Sequence, residues 1–102
     1  MMKKTEIFAE ILAIVSRETE VLEGEILSKI KIADVVDARF MLVKSLVDYG
    51  FYPGEVARLM KVTSRSIHYT LSNFDTRMDY AKYNRNCYDR IKKAIGSNSF
   101  GE

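Results

Sequence analysis

YPGEVARLMKVTSRSIHYTLSN, residues 52–73, is the stretch on which the fold turns. Val56, Ala57 and Met60 put apolar side chains on one face of a short helix, Val62 closes a turn, and Ile67 and Leu71 form the inward face of a second helix. This spacing predicts two helices crossing steeply, a helix-turn-helix over about 53–73. A steep crossing needs a small residue where the helices meet, and Ala57 is expected there under the β-branched Ile67. Pro53 suits the first helical position, where a missing N–H costs nothing, and Thr63 or Ser64 can cap the second helix. Many such turns use glycine to reach a left-handed backbone; here Lys61 has to adopt it, at modest cost. Ser64, Arg65, Ser66, His68 and Tyr69 then point outward, and in this motif such a face usually meets a DNA major groove. The same spacing also occurs in helical bundles that bind nothing.

Upstream, Ile7, Phe8, Ile11, Leu12 and Val15 recur at helical spacing from Thr5, an expected cap, to about Arg17. The acidic run from Glu18 to Glu25 reads as a loop, followed by a brief helical turn at Ile26 and Leu27 and a connector, Lys29 to Ile32. Asp34 is the expected cap of a helix over about Ala33–Tyr49 that is apolar nearly all round, so its neighbours must cover it. Gly50 is its stop signal. Within that apolar surround Arg39 either snorkels outward or points to a partner.

Downstream, Phe74 and Met78 continue the inward face of Ile67 and Leu71 in four-residue steps, so the second motif helix is expected to run on to about Met78. Asp79 reads as the cap of a last helix whose inner face is Tyr80, Tyr83, Cys87, Ile91 and Ile95 and whose outer face is Lys82, Arg85, Arg90, Lys92 and Lys93. A mobile tail is expected from Gly96 to Glu102. The fold class is therefore all-α: one compact bundle of about five or six helices spanning 1–102.

Length and composition agree. The 102 residues suffice for one core and are too few for two domains, and 47% hydrophobic with 29% charged residues is ordinary for a soluble globular chain. One proline and five glycines, without alternating β-branched runs, leave no signal for sheet. The lone Cys87 cannot form an intramolecular disulfide, which fits a reducing, cytoplasmic setting. The N-terminal apolar run is broken by Glu6 and Glu10 and is too short to span a bilayer, so neither a signal peptide nor a membrane anchor is expected.

The net charge of +2 hides an asymmetry. Residues 1–60 hold eight Lys/Arg against ten Asp/Glu, whereas residues 61–95 hold eight against three. The basic half begins at the turn of the motif, where phosphate attraction would need it.

The segments SKIKIADVVDARFMLVKSL (28–46), EVARLM (55–60) with the later Ile67, and DYAKYNRNCYDRI (79–91) lie in an order and spacing that resembles the C-terminal DNA-binding domain of the bacterial replication initiator DnaA, in the Trp-repressor-like helix-turn-helix group. The resemblance covers almost the whole chain. It implies a basic loop before a long helix, with Arg39 at the family's arginine, and a recognition helix that reads DNA. The family's recognition helix opens with Asp-His-Thr-Thr-Val; the matching positions here are Thr63, Ser64, Arg65, Ser66 and Ile67, and only the core position is kept. Lys31 stands where the family inserts a minor-groove arginine. The turn looks one residue shorter and lacks the family's glycines, and the basic loop is thinned to Lys29 and Arg39. The scaffold thus carries over and the target sequence does not. Nor does nucleotide chemistry, since no Gly-rich phosphate loop is present.

Three function classes follow. The first is a double-stranded DNA-binding module in replication initiation, transcription regulation or mobile-element maintenance. In it Ser64, Arg65, Ser66, His68 and Tyr69 face the major groove, with Arg65 as the chief base reader. Thr63 and the amides opening its helix grip phosphate, while Lys61, Lys29, Lys31 and Arg39 hold the backbone and the neighbouring minor groove. The second is a helical protein-interaction module that keeps the scaffold without DNA; its partner would be another protein or a second copy. An enzyme is not expected: His68 is the only histidine, Cys87 has no second metal ligand at helical spacing, and Ser64 and Ser66 lack a base and its orienting group. No residue pattern asks for a cofactor or metal.

Overall fold

The structure, a computed structural model, describes residues 2–98. Seven helices follow one another: α1 (Lys4–Thr19), α2 (Glu23–Ile26), α3 (Ala33–Tyr49), α4 (Pro53–Met60), α5 (Ser64–Ser72), α6 (Phe74–Asp79) and α7 (Lys82–Gly96). No strand occurs among the described residues. The seventh element comes from a break at Asn73, where the expected long helix to Met78 divides. Its backbone N–H and its side-chain amide both donate to the Tyr69 carbonyl, at 3.1 and 2.9 Å, and its φ/ψ of −105°/7° leaves the helical region. Asparagine offers the backbone this competing arrangement.

The bundle is built around α3. Val35, Ala38, Phe40, Met41, Leu42, Val43 and Leu46 are buried on several sides of it, and α3 packs against each of the other six helices. α1 contributes Ile7, Ile11, Leu12, Ile14 and Val15 to the same core, and α7 contributes Cys87, Tyr88 and Ile91. Gly50 ends α3 at φ 132°, a backbone angle that side chains rarely adopt, and its N–H reaches back to the Leu46 and Val47 carbonyls.

The predicted caps are corrected in three places. Thr5 lies inside α1, whose opening is held instead by Glu6, which accepts from the Lys3 N–H at 2.9 Å. Asp34 sits in the first turn of α3 behind the extended Ile32. Asp79 is the last residue of α6, and α7 begins after the extended Ala81.

The inner face of α7 is also turned from its expected position. Asn84, Cys87, Tyr88 and Ile91 are buried, Ile95 is partly buried, and Tyr80 and Tyr83 are exposed. A polar residue can take an inward site when its hydrogen bonds are met: the Asn84 amide donates to the Arg77 carbonyl at 3.3 Å. Tyr88 stacks edge-on with Phe74, ring centroids 4.8 Å apart, and its hydroxyl donates to Asp48 at 3.1 Å. Gly96, where the tail was expected to start, is the last helical residue, and positions 99–102 of that tail lie outside the described residues.

Candidate nucleic-acid interface

Two short helices and the turn between them present the polar face. Tyr52 and Pro53 open α4, where the Glu55 carboxylate accepts from the Tyr52 N–H at 2.9 Å and pairs with Lys4 at 2.7 Å. Val56, Ala57 and Met60 are buried beneath it. The helix closes on Lys61 at φ 58° and ψ 45°: its N–H donates to the Arg58 carbonyl, and the Val62 N–H reaches the Ala57 carbonyl at 2.9 Å. That pair of bonds satisfies the Ala57 and Arg58 carbonyls in the last turn of α4 and demands the left-handed residue that Lys61 supplies. Thr63 then caps α5, its hydroxyl accepting from the Ser66 N–H at 3.1 Å.

α5 is divided cleanly by burial. Ile67 and Thr70 are buried, with Leu71 partly covered, whereas Ser64, Arg65, Ser66, His68 and Tyr69 are all exposed. Ala57 and Ile67, expected at the helix crossing, are both buried in the shared core of two helices that pack together. Thr63, Lys61, Lys29 and Lys31 are exposed as well.

Arg39 belongs to the scaffold. Its Nε donates to the Ile26 carbonyl at 2.8 Å and one terminal nitrogen to the Glu25 carbonyl at 3.2 Å. Both carbonyls lie at the end of α2; that of Glu25 also accepts from the Ser28 N–H and hydroxyl, at 3.1 and 2.6 Å, so the bond from Arg39 matters most for Ile26. Burial lowers the Arg39 pKa from its ordinary value, so this half-buried guanidinium serves the loop, and the outward or partner-directed expectations for it give way to that role.

The charge asymmetry of the sequence is redistributed by ion pairs. Arg85 holds both Asp79 and Asp75, at 2.8 and 3.0 Å, and these contacts raise its pKa. Arg90 pairs with Glu18, Lys92 with Asp89, and Arg77 with Asp37. Much of the expected basic outer face of α7 is therefore locally neutralised. Among the described residues Lys29, Lys31, Arg58, Lys61 and Arg65 form no close ion pair with a carboxylate, though the Arg58 charge is felt at Glu55, and the only other such Lys or Arg residues besides Arg39 are Lys3, Lys82 and Lys93. Arg58, exposed in the last turn of α4, was missed from the sequence, where its segment is read for the apolar face of Val56, Ala57 and Met60. Its position three residues before the turn was the available signal.

Beside α5 lies a cleft of about 440 Å³, lined by Ala33, Asp37 and Phe40 of α3, Tyr69, Asn73, and Thr76, Arg77 and Tyr80 around α6. Arg77 spans it, pairing with Asp37 at 2.5 Å while its guanidinium lies over the Phe40 ring. Among the described residues no group of His, Cys, Asp and Glu could hold a metal ion, and no helix is long and apolar enough to cross a membrane. The chain matches no family model, no curated protein and no solved structure.

Proposed function

We propose that the chain binds double-stranded DNA, with α4, the turn and α5 acting as a helix-turn-helix and α5 lying in the major groove. The observation that carries this reading is the set of exposed cations without carboxylate partners, Lys29, Lys31, Arg58, Lys61 and Arg65, on α4, the turn, α5 and the connector before α3. A free cation can exchange its counterions for phosphate, whereas one already paired must first give up a carboxylate. Arg65 is the chief base reader, because its planar fork matches the two acceptors of guanine; Ser64, Ser66, His68 and Tyr69 share the face. Thr63, Lys61, Arg58, Lys29 and Lys31 hold phosphate. The resemblance to the DnaA domain read from the sequence favours this reading, with a role in replication initiation, transcription regulation or mobile-element maintenance, in the cytoplasm. Selection of bound sequences from a random duplex pool tests the reading: enrichment of a short site supports it, and a pool that stays random and unretained at low salt rejects it.

A protein-docking role for the loop between α1 and α2 is favoured by one feature. Leu22 is 70% exposed between Glu20 and Glu23, next to α2. That acidic-rimmed leucine suits a basic protein surface and would act alongside DNA binding or replace it.

A further inference from the structure

The cleft beside α5 joins two parts of the proposed interface. Tyr69 belongs both to the exposed face of α5 and to the cleft wall, while Ala33 on the opposite wall directly follows the connector that carries Lys29 and Lys31. The cleft therefore lies between α5 and that connector. Around its mouth stand Tyr69, 63% exposed, Tyr80, 90% exposed, and Thr76, also exposed, and their hydroxyls find no hydrogen-bond partner among the described residues. Tyr80 is the most exposed large hydrophobic residue described, although helical spacing alone assigns it to packing. The Asp37 charge beneath is cancelled by Arg77, so the cleft does not repel phosphate at close range. Arg77 also donates to the Ala33 carbonyl at 3.4 Å, which ties α6 to the start of α3 and keeps the two walls in register.

We propose that Tyr69, Thr76 and Tyr80 form a second contact surface for the sugar–phosphate backbone of duplex DNA, gripping one strand through neutral hydroxyl donors between α5 and the Lys29–Lys31 connector. The proposal rests on the DNA-binding reading and extends its footprint from α5 to α6. Hydroxyl groups of tyrosine and threonine are ordinary donors to phosphate oxygens. Being uncharged, they release no counterions, so their contribution persists at high salt.

That property gives the test. The affinity of the full chain for a mixed-sequence duplex is measured across a salt series for wild type, Tyr80→Phe, Thr76→Val and Lys31→Ala. Tyr80→Phe and Thr76→Val each should weaken binding about three- to tenfold, the value of one hydrogen bond, by the same factor at every salt concentration. Lys31→Ala should instead flatten the salt dependence. Both hydroxyl deletions lie at exposed positions, and unchanged thermal unfolding would show that they leave the fold intact. Wild type binding duplex with Tyr80→Phe and Thr76→Val equal to it overturns the second surface and leaves the α5 reading standing. Wild type that fails to bind at low salt overturns both, with the failure lying in the α5 reading.

Discussion

The Val62 N–H donates to the Ala57 carbonyl at 2.9 Å across a left-handed Lys61, so a lysine occupies the backbone position that glycine fills most cheaply. Holding a side chain there costs about 1–2 kcal/mol, and Lys61 is exposed and unpaired on the face proposed to meet phosphate. Strain retained at such a position is expected where the side chain has work to do. Lys61→Gly should raise stability by about 0.5–1 kcal/mol, after glycine's own entropy loss is subtracted, while weakening DNA binding. Thermal melts and a duplex titration check the two effects together. A variant neither more stable nor weaker in binding would show that Lys61 carries neither strain nor contact.

Arg39 and Lys31 should separate scaffold from interface. Arg39→Met removes the charged donor to the Ile26 carbonyl, and a second donor to that of Glu25, and should cost about 1–2 kcal/mol in denaturant unfolding, with an unaltered salt slope for DNA. Lys31→Ala should leave stability within about 0.5 kcal/mol and flatten the slope. The reverse pattern would move Arg39 into the interface.

The α4 opening is sensitive to acid. The Lys4 ammonium bonded to the Glu55 carboxylate, and then the Tyr52 N–H, lower the Glu55 pKa below its ordinary value. A carboxyl with a folded pKa below its unfolded one contributes stability that is fully present above the unfolded carboxylate range and is lost as pH falls through the folded value. Glu55→Gln should therefore flatten the acid limb of the stability curve below about pH 4.5. Lys4→Met should move the Glu55 titration, followed by NMR, back upward. A Glu55 titration unmoved by Lys4→Met would contradict the pairing.

Base reading by Arg65 predicts a contrast between two variants. Arg65→Lys keeps the charge and loses the planar fork, so it should spare binding to random duplex and reduce discrimination at one or two base pairs of the selected site, by about 1–3 kcal/mol. Arg65→Ala should lose both. Equal behaviour of the two variants on specific and random duplexes would reduce Arg65 to a phosphate contact or a bystander and shift base reading to Ser64, Ser66 and His68.

Much of the scaffold is legible in the sequence because its signals are local. The apolar run closed by Gly50 marks α3 at the observed bounds, Pro53 opens α4, and Thr63 caps α5 as their side-chain chemistry requires. The break at Asn73 is less legible, since asparagine in a helix can equally point its amide at solvent. The face of α7 is hidden further, because Asn84 is buried on the strength of a carbonyl seven residues away on α6. Charge is least legible of all. Arg90 meets Glu18 across 72 positions and Arg85 reaches back to Asp75 and Asp79, so a running count of basic residues marks α7 as a cationic face that the folded chain largely neutralises. The free cations, Arg58 among them, emerge only once those pairs are formed.

The central claim is that these free cations bind the phosphates of duplex DNA, and a salt titration of the wild-type chain on a mixed-sequence duplex tests it most directly. With the four cations assigned to phosphate, Lys29, Lys31, Arg58 and Lys61, engaged, the logarithm of the binding constant should fall linearly against the logarithm of salt concentration with a slope of about −3.6. A flat dependence, or no binding at the lowest salt, would contradict the account.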